Sequence, residues 1–240
     1  MSTFSSALDS LVVPARFNGP AGSGNGGWSA GALAAYVDAD GGAVEVTLRQ
    51  PPPLDTPMEV VEDDGVMTAM HEGAPALVAR RAALAPEGVP AVSMALAREA
   101  ATRYPGLEQH PFPTCFTCGT EREPGDGLRI FPGRVDDLDG RPRVAAPWVA
   151  GEADLRVVWA ALDCAGAWAA DMEDRMMVLG RMTAEVLGTP VAGEEHVVVG
   201  LARGSEGRKH RTATTVVDPR GAVLGRAEQV WIEVSPEAFA

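Results

Sequence analysis

The chain has 240 residues, 46% hydrophobic and 22% charged, and its 20 basic and 33 acidic side chains leave a net charge of −13. That length can bury a sizeable core, as one large domain or two of about 120 residues, which excludes a disordered chain. The acid excess excludes nucleic acid and anionic membrane surfaces as partners, because both need clustered Lys and Arg. No apolar run approaches the ~20 residues of a spanning helix, and residues 1–20 lack the basic start and apolar run of a signal peptide. Three cysteines, an odd number, fit a reducing cytoplasm better than a disulfide scaffold. One lysine, Lys209, against 19 arginines, with abundant Ala and Gly, points to a GC-rich bacterial genome.

In chain order, residues 19–27 (GPAGSGNGG) form a glycine-rich loop. Residues 28–37 (WSAGALAAYV) then predict a helix of small residues that is apolar all round, as a helix wrapped by other structure must be. Alternating, β-branched segments follow at 43–50, 57–62, 66–71 and 76–84, separated by PPPLD, DDG and EGAP. Such closely spaced turns predict consecutive antiparallel strands. Residues 92–104 predict a second helix, and 105–114 a linker.

The pattern then restarts. Residues 127–132 and 142–148 predict strands, and 157–170 (VVWAALDCAGAWAA) another small-residue apolar helix. Four strand-like runs follow, at 177–187, 196–203, 211–217 and 222–234. Each half thus reads as a buried helix followed by an antiparallel meander, and a duplicated α+β unit is the economical reading, with halves at 1–108 and 109–240.

A small-residue helix wrapped by an antiparallel sheet resembles the hotdog fold of acyl-CoA thioesterases. Residues 115–119 (CFTCG), followed by Pro124, Gly127 and Leu128, are similar to the opening of several hotdog domains. Residues 24–28 (GNGGW) resemble the double-glycine helix entry of the acyl-CoA thioesterase II family. The resemblance implies a double hotdog, with two antiparallel sheets each wrapping a central helix. It also implies hydrolysis of an acyl thioester such as an acyl-CoA. The expected mechanism needs no metal or other cofactor, and the chain is expected to dimerise through otherwise exposed sheet edges. The alternative is a non-catalytic acyl-CoA or small-ligand binding protein on the same groove. A hydratase ranks behind both, because none of His71, His110, His196 or His210 stands in a D-x-N-P-x-x-H context.

Two motifs point elsewhere. Gly27-Trp28-Ser29-Ala30-Gly31 matches a nucleophile elbow, and Gly22 to Gly27 match G-x-G-x-x-G. The elbow needs a buried strand just before Ser29, where this chain has a glycine loop, and the dinucleotide motif needs further βαβ units, which do not follow.

Asn25, Gly26, Gly27 and Trp28 can instead present backbone N–H groups to a thioester oxyanion, or the glycines can simply allow close packing. Asp163 is the only charged residue between Val157 and Ala170. Buried, it would have a raised pKa suited to activating water, whereas at the start of a helix it would be a capping residue. In acyl-CoA thioesterase II an Asp, a Thr and a Gln hold the attacking water. The resemblance places these roles on Asp163, Gln229 and Thr183, with Thr212, Thr214 or Thr215 as substitutes for the Thr. Cys115 and Cys118, with His110 and Cys164, are a candidate zinc set, but free buried thiols are the preferred reading. Arg203, Arg208, Lys209, His210 and Arg211 form the one basic cluster. Within it, Arg208 and Lys209 are candidate contacts for coenzyme A phosphates, or else part of a solvated hairpin turn.

Overall fold

A computed structural model describes residues 7–151, 154–235 and 237, residues 7–9 by their backbone alone. Its first helix, α1 (Gly26–Ala34), begins where the Asn25 side chain accepts the Trp28 N–H, capping the free end. Gly27 and Gly31 are poor helix formers, each costing about 1 kcal/mol against alanine. Packing requires them: a Cβ at Gly27 would lie 2.5 Å from the Trp159 carbonyl oxygen, and one at Gly31 2.7 Å from Trp159 Cβ. Helix α3 (Leu155–Ala161) therefore lies against α1, and the two run antiparallel, with Gly27 opposite Ala160 and Gly31 opposite Arg156.

Five strands accompany α1: β1 (Ala7–Leu11), β2 (Val44–Leu48), β3 (Met58–Asp63), β4 (Val66–His71) and β5 (Ala74–Arg81). Six follow: β6 (Gly133–Leu138), β7 (Arg141–Val149), β8 (Met177–Val186), β9 (Glu195–Glu206), β10 (Lys209–Val217) and β11 (Val223–Glu233). The sheet order is β1-β3-β4-β5-β2-β8-β11-β10-β9-β7-β6, antiparallel throughout. Reading inward from each end, β1-β3-β4-β5-β2 and β7-β9-β10-β11-β8 are the same topology, and β6 adds a strand to the second edge.

The expected two sheets are joined. Strand β2 pairs with β8 in register Val46↔Met182, so the halves share one eleven-stranded sheet. The physical reason is edge satisfaction: each meander alone would leave the N–H and C=O groups of one strand unpaired.

Two further expectations change. Residues 127–132 form no strand, because their hydrogen-bonding groups are used elsewhere: the N–H groups of Leu128 and Ile130 donate to the carbonyls of Phe116 and Thr117. The segment 157–170 is two helices, α3 and α4 (Cys164–Ala169), broken at Leu162–Asp163. The break lets α4 descend onto β9, where a Cβ at Gly200 would lie 2.2 Å from the Ala165 carbonyl oxygen. It also frees the Leu162 carbonyl, which accepts the Gln229 amide at 2.6 Å.

The other face of the second unit is covered by α2 (Met94–Ala101), which with Val89 closes a separate cluster around Ala145, Val197, Val199 and Leu201. Among the described residues no helix is long and apolar enough to cross a membrane.

Candidate functional site

Asp163 stands at the α3–α4 break and is 2% exposed. It occupies the first position before α4, yet its side chain makes no capping bond. Its Oδ2 instead turns to α1, accepting from Asn25 Nδ2 at 2.9 Å and from the Gly27 N–H at 3.1 Å. Its Oδ1 is buried and has no partner among the described residues. Burial lifts the Asp163 pKa to about 7, and neighbouring Cys115 adds to the rise against the pull of the Gly27 and Asn25 donors. A half-anchored carboxylate in low dielectric is poised to exchange a proton with whatever reaches Oδ1.

Asn25 ties this corner together. While Oδ1 caps α1, Nδ2 reaches Asp163, Thr117 Oγ1 at 3.3 Å and Cys115 Sγ at 3.8 Å. The backbone of Asn25 to Trp28 is mostly engaged. The Asn25 N–H donates to the Phe17 carbonyl, the Gly27 N–H to Asp163 and the Trp28 N–H to Asn25, leaving the Gly26 N–H without a partner among the described residues. The Trp28 ring stacks on Phe17 and packs in the core. Ser29 is fully buried inside α1, and its hydroxyl has no partner among the described residues, so the apparent elbow is a helix-packing motif.

Gln229 is buried beneath the break. Its amide nitrogen donates to the Leu162 carbonyl and to Thr214 Oγ1 at 3.0 Å, and its Oε1 accepts Thr212 Oγ1 at 2.8 Å. Trp231 Nε1 donates to Thr212 Oγ1 at 3.1 Å. This network touches the residue before Asp163 and not Asp163 itself, so Gln229 meets the carboxylate only through the backbone of the break. Thr183 does not join it. Met182 and Ala184 point into the core, so alternation along β8 turns the half-buried Thr183 to the opposite face, between Glu45 and Glu228. Of the substitutes named for it, Thr212 and Thr214 bond Gln229, while Thr215, on the other face of β10, accepts the Val89 N–H.

A cavity of about 330 Å³ opens beside Asp163, within the range of small-molecule sites. Its walls are apolar, with Leu48, Phe112, Met172, Met177, Leu179 and Trp231 facing Asn25, Gly26 and Asp163. Arg208 and Lys209 do not line it; both are exposed, Arg208 in the β9–β10 turn and Lys209 at the start of β10. Arg208 Nη1 donates to the Glu233 carbonyl, between the lining residues Ile232 and Val234. Around them Arg203 pairs with Glu87, Arg211 with Glu206 and His210 with Glu233. Among the described residues the one cation on the wall is Arg49, just past β2, which no local pattern distinguished from other strand-end arginines.

Cys115, Cys118 and Cys164 are buried and reduced, and their sulfurs lie within 4.8 Å of one another on the cavity wall. Hydrogen bonds from the Cys118 and Cys164 thiols, aided by the Cys118 and Thr117 N–H groups, hold the Cys115 thiol well below its ordinary pKa despite burial. His110 stands apart from this group: its Nε2 meets the Cys118 carbonyl at 3.0 Å and its Nδ1 accepts the Phe112 N–H.

No family model matches the chain, and no curated protein is significantly similar to it. Solved structures are. A conserved protein of unknown function with hot dog fold from Alicyclobacillus acidocaldarius superposes with a TM-score of 0.61 at 14% identity, over 98% of this chain and 96% of that one. The TesB protein of Mycobacterium avium subspecies paratuberculosis gives 0.56 at 14%, over 90% and 89%. An acyl-CoA thioesterase II, TesB2, from Mycobacterium marinum gives 0.50 at 10%, over 82% and 81%. At such identities the likeness is one of architecture, and it agrees with the helix-and-meander units described above: this chain has the hotdog fold.

Proposed function

We propose that the chain is a double hotdog, its halves at residues 1–108 and 109–240, that hydrolyses an acyl thioester, with acyl-CoA as the substrate class. One observation carries the reading: a buried carboxylate, anchored through Oδ2 by Asn25 and Gly27, has its unpartnered Oδ1 beside an apolar cavity. The acyl chain lies along Leu48, Phe112, Met177 and Leu179. The thioester carbonyl takes the Gly26 N–H, the donor of this loop left over by internal bonding. Water between Asp163 Oδ1 and the carbonyl carbon gives its proton to Asp163 as its oxygen bonds to that carbon. Collapse of the tetrahedral species breaks the carbon–sulfur bond, and the proton passes from Asp163 to the departing thiolate, leaving a carboxylic acid and a free thiol. Gln229, Thr212 and Thr214 keep the helix break in place. Arg49, Arg208 and Lys209 supply positive charge for the phosphates of the carrier. The M. marinum structure, an acyl-CoA thioesterase II by name, supports the substrate class.

The binding-protein reading also has an observation in its favour, since the Gly27 and Trp28 N–H groups are consumed internally and an oxyanion meets one free backbone donor where two are usual. Thiol release from short, medium, long and aromatic acyl-CoAs separates the two readings. The hydrolase predicts turnover by the parent and its loss in a folded Asp163→Asn variant. Tight acyl-CoA binding without thiol release from any member of the panel assigns the chain to binding, and full turnover in Asp163→Asn overturns the mechanism.

A further inference from the structure

The three cysteines do more than fill space. Cys115 and Cys118 flank the turn Cys115-Phe116-Thr117-Cys118-Gly119, closed by the Gly119 N–H donating to the Cys115 carbonyl at 2.9 Å. The turn needs glycine there, because a Cβ at Gly119 would lie 2.5 Å from the carbonyl oxygens of both Cys115 and Pro113. Asn25 Nδ2 approaches the Cys115 sulfur from α1 at 3.8 Å. Cys164 arrives from the other side, at the α3–α4 break, and its sulfur stands 3.8 Å from that of Cys115. A tetrahedral ion with zinc–sulfur bonds of about 2.3 Å separates its thiolates by about 3.8 Å.

We propose that Cys115, Cys118 and Cys164 bind one zinc ion, with the fourth coordination position open to the cavity. The donor chemistry selects a soft or borderline tetrahedral ion over calcium or magnesium, which take oxygen ligands. Three thiolates around Zn²⁺ leave a net charge of −1, which the Thr117, Cys118 and Asn25 donors are placed to offset. Neither nearby candidate supplies the fourth ligand. Both His110 nitrogens are used by the Cys118 carbonyl and the Phe112 N–H, and Asp163 Oδ2 is held by Asn25 and Gly27, 4.0 Å from Cys164 Sγ. Three protein ligands with a position left to water or substrate is the arrangement of reactive zinc sites, where structural sites are closed by four. This replaces the expectation of three free thiols, and it stands independently of thioester hydrolysis, since ion binding is read without turnover.

The test uses the whole chain, purified with reductant and without chelator. Elemental analysis is expected to give one zinc per chain. Cobalt added to the chelator-treated protein is expected to give a thiolate-to-metal charge-transfer band with tetrahedral d–d absorption, and zinc is expected to displace it. Cys118→Ala and Cys164→Ala, each checked for fold by circular dichroism, are expected to weaken zinc binding by well over about 100-fold, the loss reached when even a ligand's supporting partner is removed. A reduced parent chain that holds no zinc and gives no cobalt charge-transfer band overturns the proposal whatever the variants do. Zinc retained equally in both folded variants overturns it too.

Discussion

Two cavities lie at opposite ends of the antiparallel pair α1 and α3, and they differ in chemistry more than in size. One, of about 330 Å³, sits at the start of α1 against Asp163 and the three cysteines. The other, of about 370 Å³, sits at the end of α1 against Leu155, Trp159 and Ala184, where its acids, Asp38 and Asp40, are exposed in the 38–42 turn. The repeated strand order brings with it a helix end and a hollow beside it in each unit. The second unit adds something the first lacks, a helix broken at Leu162–Asp163 that turns a carboxylate inward, and the proposed hydrolysis rests on it. Among the described residues only the second unit has that break, and the strands beneath follow suit. Strands β10 and β11 carry buried Thr212, Thr214 and Gln229, whereas their counterparts β4 and β5 carry buried Ala69, Leu77 and Ala79.

The sharpest test of this contrast exchanges acid for amide at each end. Asp163→Asn is expected to lower turnover of the best acyl-CoA by about 10²–10⁴-fold, the usual contribution of a general base, while Asp38→Asn with Asp40→Asn leaves it unchanged. Equal losses from both variants would abolish the distinction between the cavities. Next comes Gly27→Ala, whose Cβ would lie 2.5 Å from the backbone oxygen of Trp159 and 2.7 Å from Asp163 Cβ. Prising α1 from α3 is expected to cost about 3 kcal/mol, read as a fall in Tm of about 6–12 °C.

Smaller effects should follow the two faces of the sheet. Thr212→Val removes a donor to Gln229 and an acceptor for Trp231, a loss of about 1–3 kcal/mol in denaturant unfolding accompanied by a lower kcat. Thr183→Val, on the opposite face of the sheet, is expected to stay within about 0.5 kcal/mol of the parent in the same measurement. If Thr183→Val instead abolished turnover, the assignment of Thr212 and Thr214 to its place would be wrong. Least of all, Ser29→Ala is expected to keep full turnover and to leave stability unchanged or slightly raised, because it deletes a buried hydroxyl with no partner among the described residues. Loss of turnover with an unchanged circular dichroism spectrum would restore Ser29 as a nucleophile.

Periodicity alone located most strands within a few residues, because turn residues such as Asp64-Gly65 and Asp218-Pro219-Arg220-Gly221 punctuate them and alternation marks their buried face. It failed at 127–132, whose apolar residues are held by the carbonyls of the 115–119 turn, a pairing that no local pattern encodes. Thr183 was named by the family resemblance from its approximate position along the chain, and the parity of β8 points its side chain away from Asp163.

What the sequence determined by itself was the duplicated helix-and-meander pattern, the anomaly of one acid in an apolar segment, and a glycine-rich entry to the first helix. Each is a local property, set by turn chemistry, small-residue content and hydrophobic period. Only the tertiary structure decided that β2 and β8 fuse the halves into one sheet, that the helix breaks before Cys164, and that Asn25, Gly27, Cys115 and Asp163 meet. These contacts join residues far apart in the chain. They exist because two small-residue helices can approach closely enough for one to hand its backbone and cap to the other's buried carboxylate.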